Sequence, residues 1–347
     1  MLKKLVVAAL SVALVFSLSG CSKSGTDDTQ KTQIWNVASI QTEDHPTTKA
    51  LVKMGEVFSE LTDGRYQFEI YPNELLGPQR ETLEQVQYGI IEMAMVGNSN
   101  VSSFVDGFLT FEIPFLFDDL EHQARFFATS DIIDDLFKQT EEYNFKIATF
   151  MTAGTRNMYS NKPIRNLSDL KGMKIRTAES DTYAKMMRLL GGSATPMSFG
   201  EVFTAIQSGV VDGAENNEAS YRNSKHYEIA PYYSYTKHLI VPDFVIVNTD
   251  VYYSLSEEDR AAFDEAARIA AEYEAELWNE DTELAREEVV ANGAILVEDV
   301  DTDALQAAVQ PLHEELTQNP EIKVVYDAVM ATSAKNMDTE ADTTINE

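Results

Sequence analysis

The segment that decides the fold is residues 174–216, KIRTAESDTYAKMMRLLGGSATPMSFGEVFTAIQSGVVDGAEN. Residues 174–176 end a short predicted strand, and residues 180–190 form a predicted helix that stops at the glycine pair 191–192. A second predicted helix, 199–208, stops at Gly209. Because strands and helices alternate along this segment, the sequence indicates an α/β fold.

The first half of the chain repeats this order of elements. The pattern predicts strands near residues 34–40, 66–70 and 90–96, with a helix that begins at Pro46 and another over residues 79–88. QYGIIE at 87–92 also matches QSGVVD at 207–212: a helix end, a glycine, two β-branched residues and an acid. Two related lobes are therefore predicted, and chance similarity of two turns is the alternative.

One predicted helix is too long for either lobe. Ser256 and Asp259 form a start resembling a capping box, and no glycine or proline interrupts the chain before Gly293. At 1.5 Å per residue such a helix would be roughly 50 Å long, more than the diameter of a small domain. It must either span both lobes or break, and residues 279–282 are the weakest segment.

The N-terminus has the pattern of an export signal. Lys3 and Lys4 precede an apolar run at 5–17, which is too short for a membrane-spanning helix, and Leu18-Ser19-Gly20-Cys21 reads as a lipobox. We expect cleavage before Cys21 and lipid on its thiol, so that residues 1–21 are a lipoprotein signal and lipobox. The alternative is an ordinary signal peptide with a chance cysteine. Polar residues 22–31 would form a tether, and 337–347 a frayed tail.

Composition excludes several classes of function. The formal charge of −30 argues against a nucleic-acid partner, which requires clustered lysine and arginine. No phosphate-binding glycine loop, HExxH or GxSxG motif is present, and the five histidines lack ligand spacing, so we expect no enzyme, no cofactor and no metal. His226 is expected to pack rather than to bind metal.

Two arginines follow or end predicted strands. Arg156 comes just after a strand predicted at 145–152, and Arg176 ends the strand before residue 177. Strand ends border the ligand crevice of open α/β sheets, and a guanidinium can bond a carboxylate through two N–H groups. Structural salt bridges are the alternative for both arginines.

Four motifs in this region resemble one known family. They are GTR at 154–156, DLKGMKIR at 169–176, ATPMSFGEVF at 194–203 and VDGAEN at 211–216. Together they resemble the substrate-binding subunits of tripartite ATP-independent periplasmic (TRAP) transporters. Weaker similarity covers nearly all the mature chain and includes residues 71–72, 76–77, Arg80 and 113–115.

The resemblance implies a periplasmic-binding-protein-like fold of two α/β lobes, with hinge strands and one long helix spanning both. Lobe I would comprise residues 32–153 with about 242–281, and lobe II residues 154–241 with about 282–336. It also implies that Arg176 pairs with a substrate carboxylate, that Arg156 adds a second cation, that Asn216 completes the site and that Phe199 packs on the substrate body.

Other expected site residues depart from the sialic-acid-binding members of the family. Glu179 stands where those proteins tend to have asparagine, and it could bind hydroxyls or pair with Arg156. From the N-terminal lobe we expect Gln41, His45 and Asn98 at the site, with Arg80. This mixture favours a polyhydroxylated acid over a plain dicarboxylate.

The predicted function is that of an exported, lipid-anchored binding protein. It would deliver an organic acid, best a hexuronate or related sugar acid, to the small and large membrane subunits of a TRAP permease, which in this family most often uses a sodium gradient. A C4-dicarboxylate ligand, an ATP-driven transporter, a surface lyase for acidic sugars and a sensory partner are the alternatives.

Overall fold

The computed structural model describes residues 31–334, and the compact unit begins at Thr32. This part of the chain contains nine strands in one sheet, thirteen α-helices and four short 3₁₀ helices. The strands are β1 (Gln33–Ala38), β2 (Tyr66–Tyr71), β3 (Met93–Gly97), β4 (Phe145–Ser160), β5 (Lys174–Thr177), β6 (Ser193–Pro196), β7 (Gly213–Asn216), β8 (Tyr232–Asn248) and β9 (Ile295–Val297).

The α-helices connect the strands along the chain and follow the last strand. They are α1 (Pro46–Leu61), α2 (Gln79–Gln87), α3 (Asn98–Val101), α4 (Leu120–Thr129), α5 (Ile132–Lys138), α6 (Leu167–Leu170), α7 (Asp181–Leu189), α8 (Val202–Gln207), α9 (Glu218–Asn223), α10 (Thr249–Ser254), α11 (Glu257–Ala291), α12 (Thr302–Leu316) and α13 (Pro320–Ala331). The 3₁₀ helices are Asp106–Glu112, Gln139–Tyr143, Phe199–Glu201 and His226–Glu228.

The sheet consists of two halves with the same strand order. Its order is β2-β1-β3-β8-β4-β7-β5-β6, with β9 beside β8. In lobe I, β1 lies between β2 and β3 and pairs with both in parallel, and β8 pairs antiparallel with β3. In lobe II, β5 lies between β6 and β7 and pairs with both in parallel, and β4 pairs antiparallel with β7. Gly89 and Gly209 occupy equivalent turns, with φ of 64° and 71°, and each turn leads into the third strand of its half. The repeated sequence therefore marks two related lobes.

Strands β4 and β8 join the two lobes. They are 16 and 17 residues long and pair with each other along most of that length. Their register shifts between Thr152 and Thr155, and again between Arg156 and Met158. Irregular pairing in the middle of two crossing strands is where a bilobal α/β protein can bend.

Helix α11 runs without a break through 35 residues, so of the two outcomes left open, a break at 279–282 does not occur. Its first half packs Phe263, Ala266 and Ala270 into the core of lobe I, and Val289 near its end packs into lobe II. Between them, Glu274 accepts a hydrogen bond from the amide of Thr152 on β4 at 3.2 Å. The helix therefore spans both lobes, which is the other outcome that its length allowed.

The apolar core is divided in the same way, into two clusters on each lobe. Helix α13 packs Ile322, Val325 and Val329 into a lobe I cluster, and Thr110 donates to the carbonyl of Ile322 at 3.1 Å. Residues 282–336 were expected in lobe II, but these contacts lead us to place α13 with lobe I. The other lobe limits stay predictions.

The export signal, the lipobox, residues 22–30 of the tether and the tail at 337–347 lie outside the described residues. Among residues 31–334, no helix combines the length and the apolar character that a bilayer crossing needs. The same residues contain no group of three His, Cys, Asp or Glu side chains placed to hold a metal ion.

Candidate ligand-binding cleft

A cavity of about 340 Å³ lies between the two lobes, within the size range of small-molecule sites. Eight of the nine residues expected to bind substrate line this cavity, and His45 does not. The eight are Gln41, Arg80, Asn98, Arg156, Arg176, Glu179, Phe199 and Asn216.

Arg176 is a buried cation that faces the cleft. It lies on β5, its exposed fraction is 4%, and its Nε and Nη2 donate to the carbonyl of Met197 at 3.1 and 2.7 Å. Those bonds use two of the five guanidinium N–H groups, so three remain. No carboxylate in residues 31–334 forms an ion pair with it, and burial lowers its pKa. A buried guanidinium without an anionic partner is a site for a ligand carboxylate.

Arg156 is held differently, because its charge is balanced inside the protein. Its Nε and Nη2 donate to the two carboxylate oxygens of Glu215 at 2.5 and 2.8 Å. Burial tends to raise the pKa of Glu215, but Arg156, with help from His238, lowers it to about 2. The suggested pairing of Arg156 with Glu179 is therefore wrong, because Glu215 occupies the guanidinium edge. Arg156 also lies inside β4, not after its end.

Asn216 is oriented by this ion pair. Its Oδ1 accepts from Nη1 of Arg156 at 3.0 Å and from the amide of Asn217 at 2.9 Å. Because the oxygen is engaged twice, its Nδ2 is left as a donor toward the cleft. Arg156 thus acts on the site by positioning a neutral donor beside Arg176.

Phe199 supplies an apolar surface next to the cation. It begins the 3₁₀ helix Phe199–Glu201, and the guanidinium carbon of Arg176 lies 5.8 Å from its ring centroid. Ser198 and Glu201 form a capping box that fixes this turn. The ring is placed to pack on the body of a ligand whose carboxylate meets Arg176.

Glu179 and Arg80 lie at the exposed rim of the cleft. The Arg80 side chain is 75% exposed and lies 3.7 Å from Glu84, a neighbour on its own helix. Glu179 is also exposed. Both line the cavity, but solvent screens both charges, so they define the rim rather than the buried site.

His45 has a structural position outside the cleft lining. It caps the N-terminus of α1, where its Nδ1 accepts from the amide of Thr47 at 3.3 Å, and its ring lies 5.7 Å from that of Trp278. Burial, then the charges of Arg222 and Lys49, lower its pKa to about 3, so the imidazole is neutral. His226 also packs, as expected, with its Nδ1 2.7 Å from the hydroxyl of Tyr159.

The two lobes touch across the cleft. Glu74, in the loop after β2, accepts from the amide of Gly200 at 3.2 Å. Glu112 of lobe I accepts from Ser180, the residue that caps α7 of lobe II. The lobes therefore enclose the cavity from both sides.

Several residues of the site were not predicted from the sequence. Glu74, Gln79, Tyr183 and Asp243 line the cavity, and Glu215 lies behind it as the partner of Arg156. Glu215 belongs to the VDGAEN motif, which was a usable signal for a partner of Arg156. Asp243 gave no signal, because it is a single acid inside an apolar run. Burial raises its pKa to about 6, although the charge of Arg156 opposes this shift.

Known proteins resemble this chain over most of its length. The family described as bacterial extracellular solute-binding protein, family 7, matches residues 37–319. A solute-binding protein of Chromohalobacter salexigens is 32% identical over 322 residues, which is 92% of this chain and 95% of that protein.

Solved structures agree with that result. A TRAP periplasmic solute-binding protein from Anaerococcus prevotii with bound α/β-D-glucuronate has 36% identity and a TM-score of 0.84, and the match covers 87% of this chain and 98% of that one. One from Xanthobacter autotrophicus with bound β-D-galacturonate has 34% identity and a TM-score of 0.82, covering 86% and 99%.

The two lobes, the crossing strands and the buried cation between the lobes define an extracytoplasmic solute-binding protein. With the match over residues 37–319, the chain belongs to bacterial extracellular solute-binding protein family 7, as a substrate-binding protein of a TRAP transporter. The resemblance read from the four motifs is thereby confirmed.

Proposed function

We propose that this protein captures a hexuronate, such as D-glucuronate or D-galacturonate, and delivers it to the membrane subunits of a TRAP permease. The observation that carries the proposal is Arg176, a buried guanidinium that faces the cleft with three N–H groups to spare. The uronates bound to the similar proteins from Anaerococcus prevotii and Xanthobacter autotrophicus support the ligand class.

Binding follows from the positions of the donors. The ligand carboxylate takes N–H groups from Nη1 and Nη2 of Arg176, and Nδ2 of Asn216 adds another donor. Phe199 packs on the sugar ring, while hydroxyls reach the polar side chains of lobe I. Each charge-assisted hydrogen bond contributes about 1.5–3 kcal/mol, and a micromolar dissociation constant needs about 8 kcal/mol in total.

Closure then removes water from the cleft. Burying a carboxylate costs free energy unless its lone pairs find donors, so the site must satisfy both oxygens. Contacts across the cleft, such as Glu74 with Gly200, form only when the lobes meet. The closed form thus presents a distinct surface, and we propose that the membrane subunits recognise it.

A ligand panel tests the proposal. Melting temperature and calorimetric titration would be measured with D-glucuronate, D-galacturonate, gluconate, malate and succinate. Hexuronates at 100 times their dissociation constant should stabilise the fold by about 2.7 kcal/mol. If malate or succinate saturates the protein while no hexuronate does, the ligand class is a C4-dicarboxylate instead. Turnover of a uronate would show an enzyme.

We also propose that the protein is anchored by lipid on Cys21. Palmitate labelling and membrane fractionation of the full chain would compare the parent with Cys21→Ser and with Ser22→Ala as the matched control. Only Cys21→Ser should lose the label and the membrane association. Equal release of the parent and Cys21→Ser into the soluble fraction would indicate an ordinary signal peptide.

A further inference from the structure

The cleft is asymmetric in its hydrogen-bonding groups. The wall formed by lobe II presents donors, namely the remaining N–H groups of Arg176 and Nδ2 of Asn216. The part of the lining near β3 of lobe I contributes acceptors, Asp243 on β8 and Asn98 at the start of α3, with exposed fractions of 8% and 1%. A ligand that fits this cleft must therefore accept at one end and donate at the other.

Asp243 is fixed close to the backbone of lobe I. It pairs in register with Gly97 of β3 and with Met151 of β4. A Cβ placed on Gly97 would lie 3.4 Å from Oδ1 of Asp243, so the glycine gives this carboxylate its space. The carboxylate forms no ion pair with any described residue, since the guanidinium edge of Arg156 is occupied by Glu215.

Asn98 supplies a second acceptor whose orientation is fixed. Its Nδ2 donates to the carbonyl of Phe108 at 3.0 Å, so the other amide atom, Oδ1, must accept. This Oδ1 is fully buried and has no partner among the described residues. A buried acceptor without a donor is costly, and a ligand hydroxyl would satisfy it.

Gln79 adds a hydrogen-bond donor at the end of the cavity that holds the acceptor Asp243. Its Oε1 accepts from the amide of Gly97 at 2.8 Å and from Nδ2 of Asn100 at 2.6 Å. Its Nε2 therefore remains a donor at the same end of the cavity as Asp243, since both side chains approach Gly97. A sugar hydroxyl donates one hydrogen bond and can accept two, so a site that offers both an acceptor and a donor suits it.

We propose that Asp243 is a specificity-determining residue that, with Asn98, binds hydroxyls at the far end of the ligand and excludes aldarates, the sugar acids with a second carboxylate. This inference rests on the proposed function, because it assumes that the first carboxylate lies on Arg176. A carboxylate in place of a hydroxyl has no hydrogen to donate to Asp243 or Asn98, and it would lie against a like charge. Glu74 at the same cavity adds to the repulsion.

The test compares D-glucuronate with D-glucarate, in which C1 is a second carboxylate and the hemiacetal ring cannot form. The effect of the ring is common to the parent and the variants, so the change in preference between them reports on Asp243. Calorimetry at pH 8 would use the parent, Asp243→Asn and Asp243→Ser, with Glu81→Gln as a control that removes an exposed charge at the rim of the same cleft. Repulsion between charges in contact corresponds to about tenfold or more in affinity. Both Asp243 variants should therefore lower the preference for glucuronate at least about tenfold, mainly by tighter binding of glucarate.

Two outcomes would overturn the inference in distinguishable ways. If folded Asp243→Asn and Asp243→Ser bind glucuronate and keep the parent's preference within about twofold, Asp243 does not set specificity, and the proposed function stands. If the parent binds neither of these acids nor D-galacturonate, the proposed function fails, and this inference fails with it. A control variant that loses the preference as strongly as Asp243→Asn would assign the effect to the general field of the cleft instead.

Discussion

Replacement of Arg176 by alanine is the most direct test of how the cleft holds its ligand. The substitution removes a buried guanidinium whose exposed fraction is 4%. Of the two donor groups proposed for the ligand carboxylate, only Nδ2 of Asn216 is then left. It also frees the carbonyl of Met197. The change therefore acts on affinity and, more weakly, on the turn that carries Phe199.

The size of the effect follows from the lost contacts. Truncation of one partner of a buried, hydrogen-bonded charge pair costs about 2–5 kcal/mol. Since about 1.4 kcal/mol corresponds to a factor of ten, the dissociation constant of a hexuronate should rise between about thirty-fold and several thousand-fold. Arg176→Lys keeps the charge but loses the planar fork, so it should lie between the parent and alanine.

Calorimetric titration with D-glucuronate measures this change, and Arg80→Ala is the matched control. Arg80 lines the same cavity, but its side chain is 75% exposed and lies near Glu84, so its removal should alter affinity by less than about fivefold. Circular dichroism would verify the fold of each variant. If Arg176→Ala binds as tightly as the parent, or if Arg80→Ala has the larger effect, the assignment of the carboxylate site is wrong.

Three further predictions concern stability. Gly154→Ala places a Cβ 2.4 Å from the Trp278 ring at a φ of +64°, so the free energy of unfolding in urea should fall by about 2–4 kcal/mol. Gly172→Ala is the control, because Gly172 has a φ of +80° but open space around it, and its loss should be about 1 kcal/mol. Glu215→Gln leaves a buried arginine unpaired and should cost about 3–5 kcal/mol by the same assay. Because the pKa of Asp243 is raised to about 6, its protonated form favours the folded state; stability should rise as the pH falls from 7 to 5, and less so in Asp243→Asn.

Much of the fold could be predicted because local signals agreed with one another. The glycine stops at Gly89 and Gly209 marked equivalent turns, and the repeated hexapeptides around them revealed the two lobes. The uninterrupted span before Gly293 predicted a helix too long for one lobe. Such features depend on backbone geometry and periodicity, which short stretches of sequence encode.

The hinge was harder to predict, because its strands bury polar residues. The strand predicted at 145–152 extends to Ser160, and the added residues include Thr155, Arg156 and Asn157. The backbone of these residues pairs with β7 and β8, which are distant in the sequence, so local sequence does not predict the pairing. A strand that is covered on both faces does not show the alternation of polar and apolar residues by which a half-exposed strand is predicted.

The candidate site was predicted where a motif fixed both residue type and position. Arg176, Asn216 and Phe199 lie together at the cleft, as the resemblance implied. His45 was misplaced, because a polar residue after a strand can cap a helix as well as face a ligand. Asp243 was missed, because only tertiary structure shows that one acid within a buried strand borders the cavity.

Helix α11 has a mechanical consequence. Its first half is fixed to lobe I, its last turns are fixed to lobe II, and Glu274 holds its middle to β4. The lobes cannot swing apart as bodies joined by slack strands alone, since every change of angle between them flexes a rod of about 50 Å. A bent rod restores its own shape. We therefore expect the helix to favour one angle between the lobes and to resist departures from it.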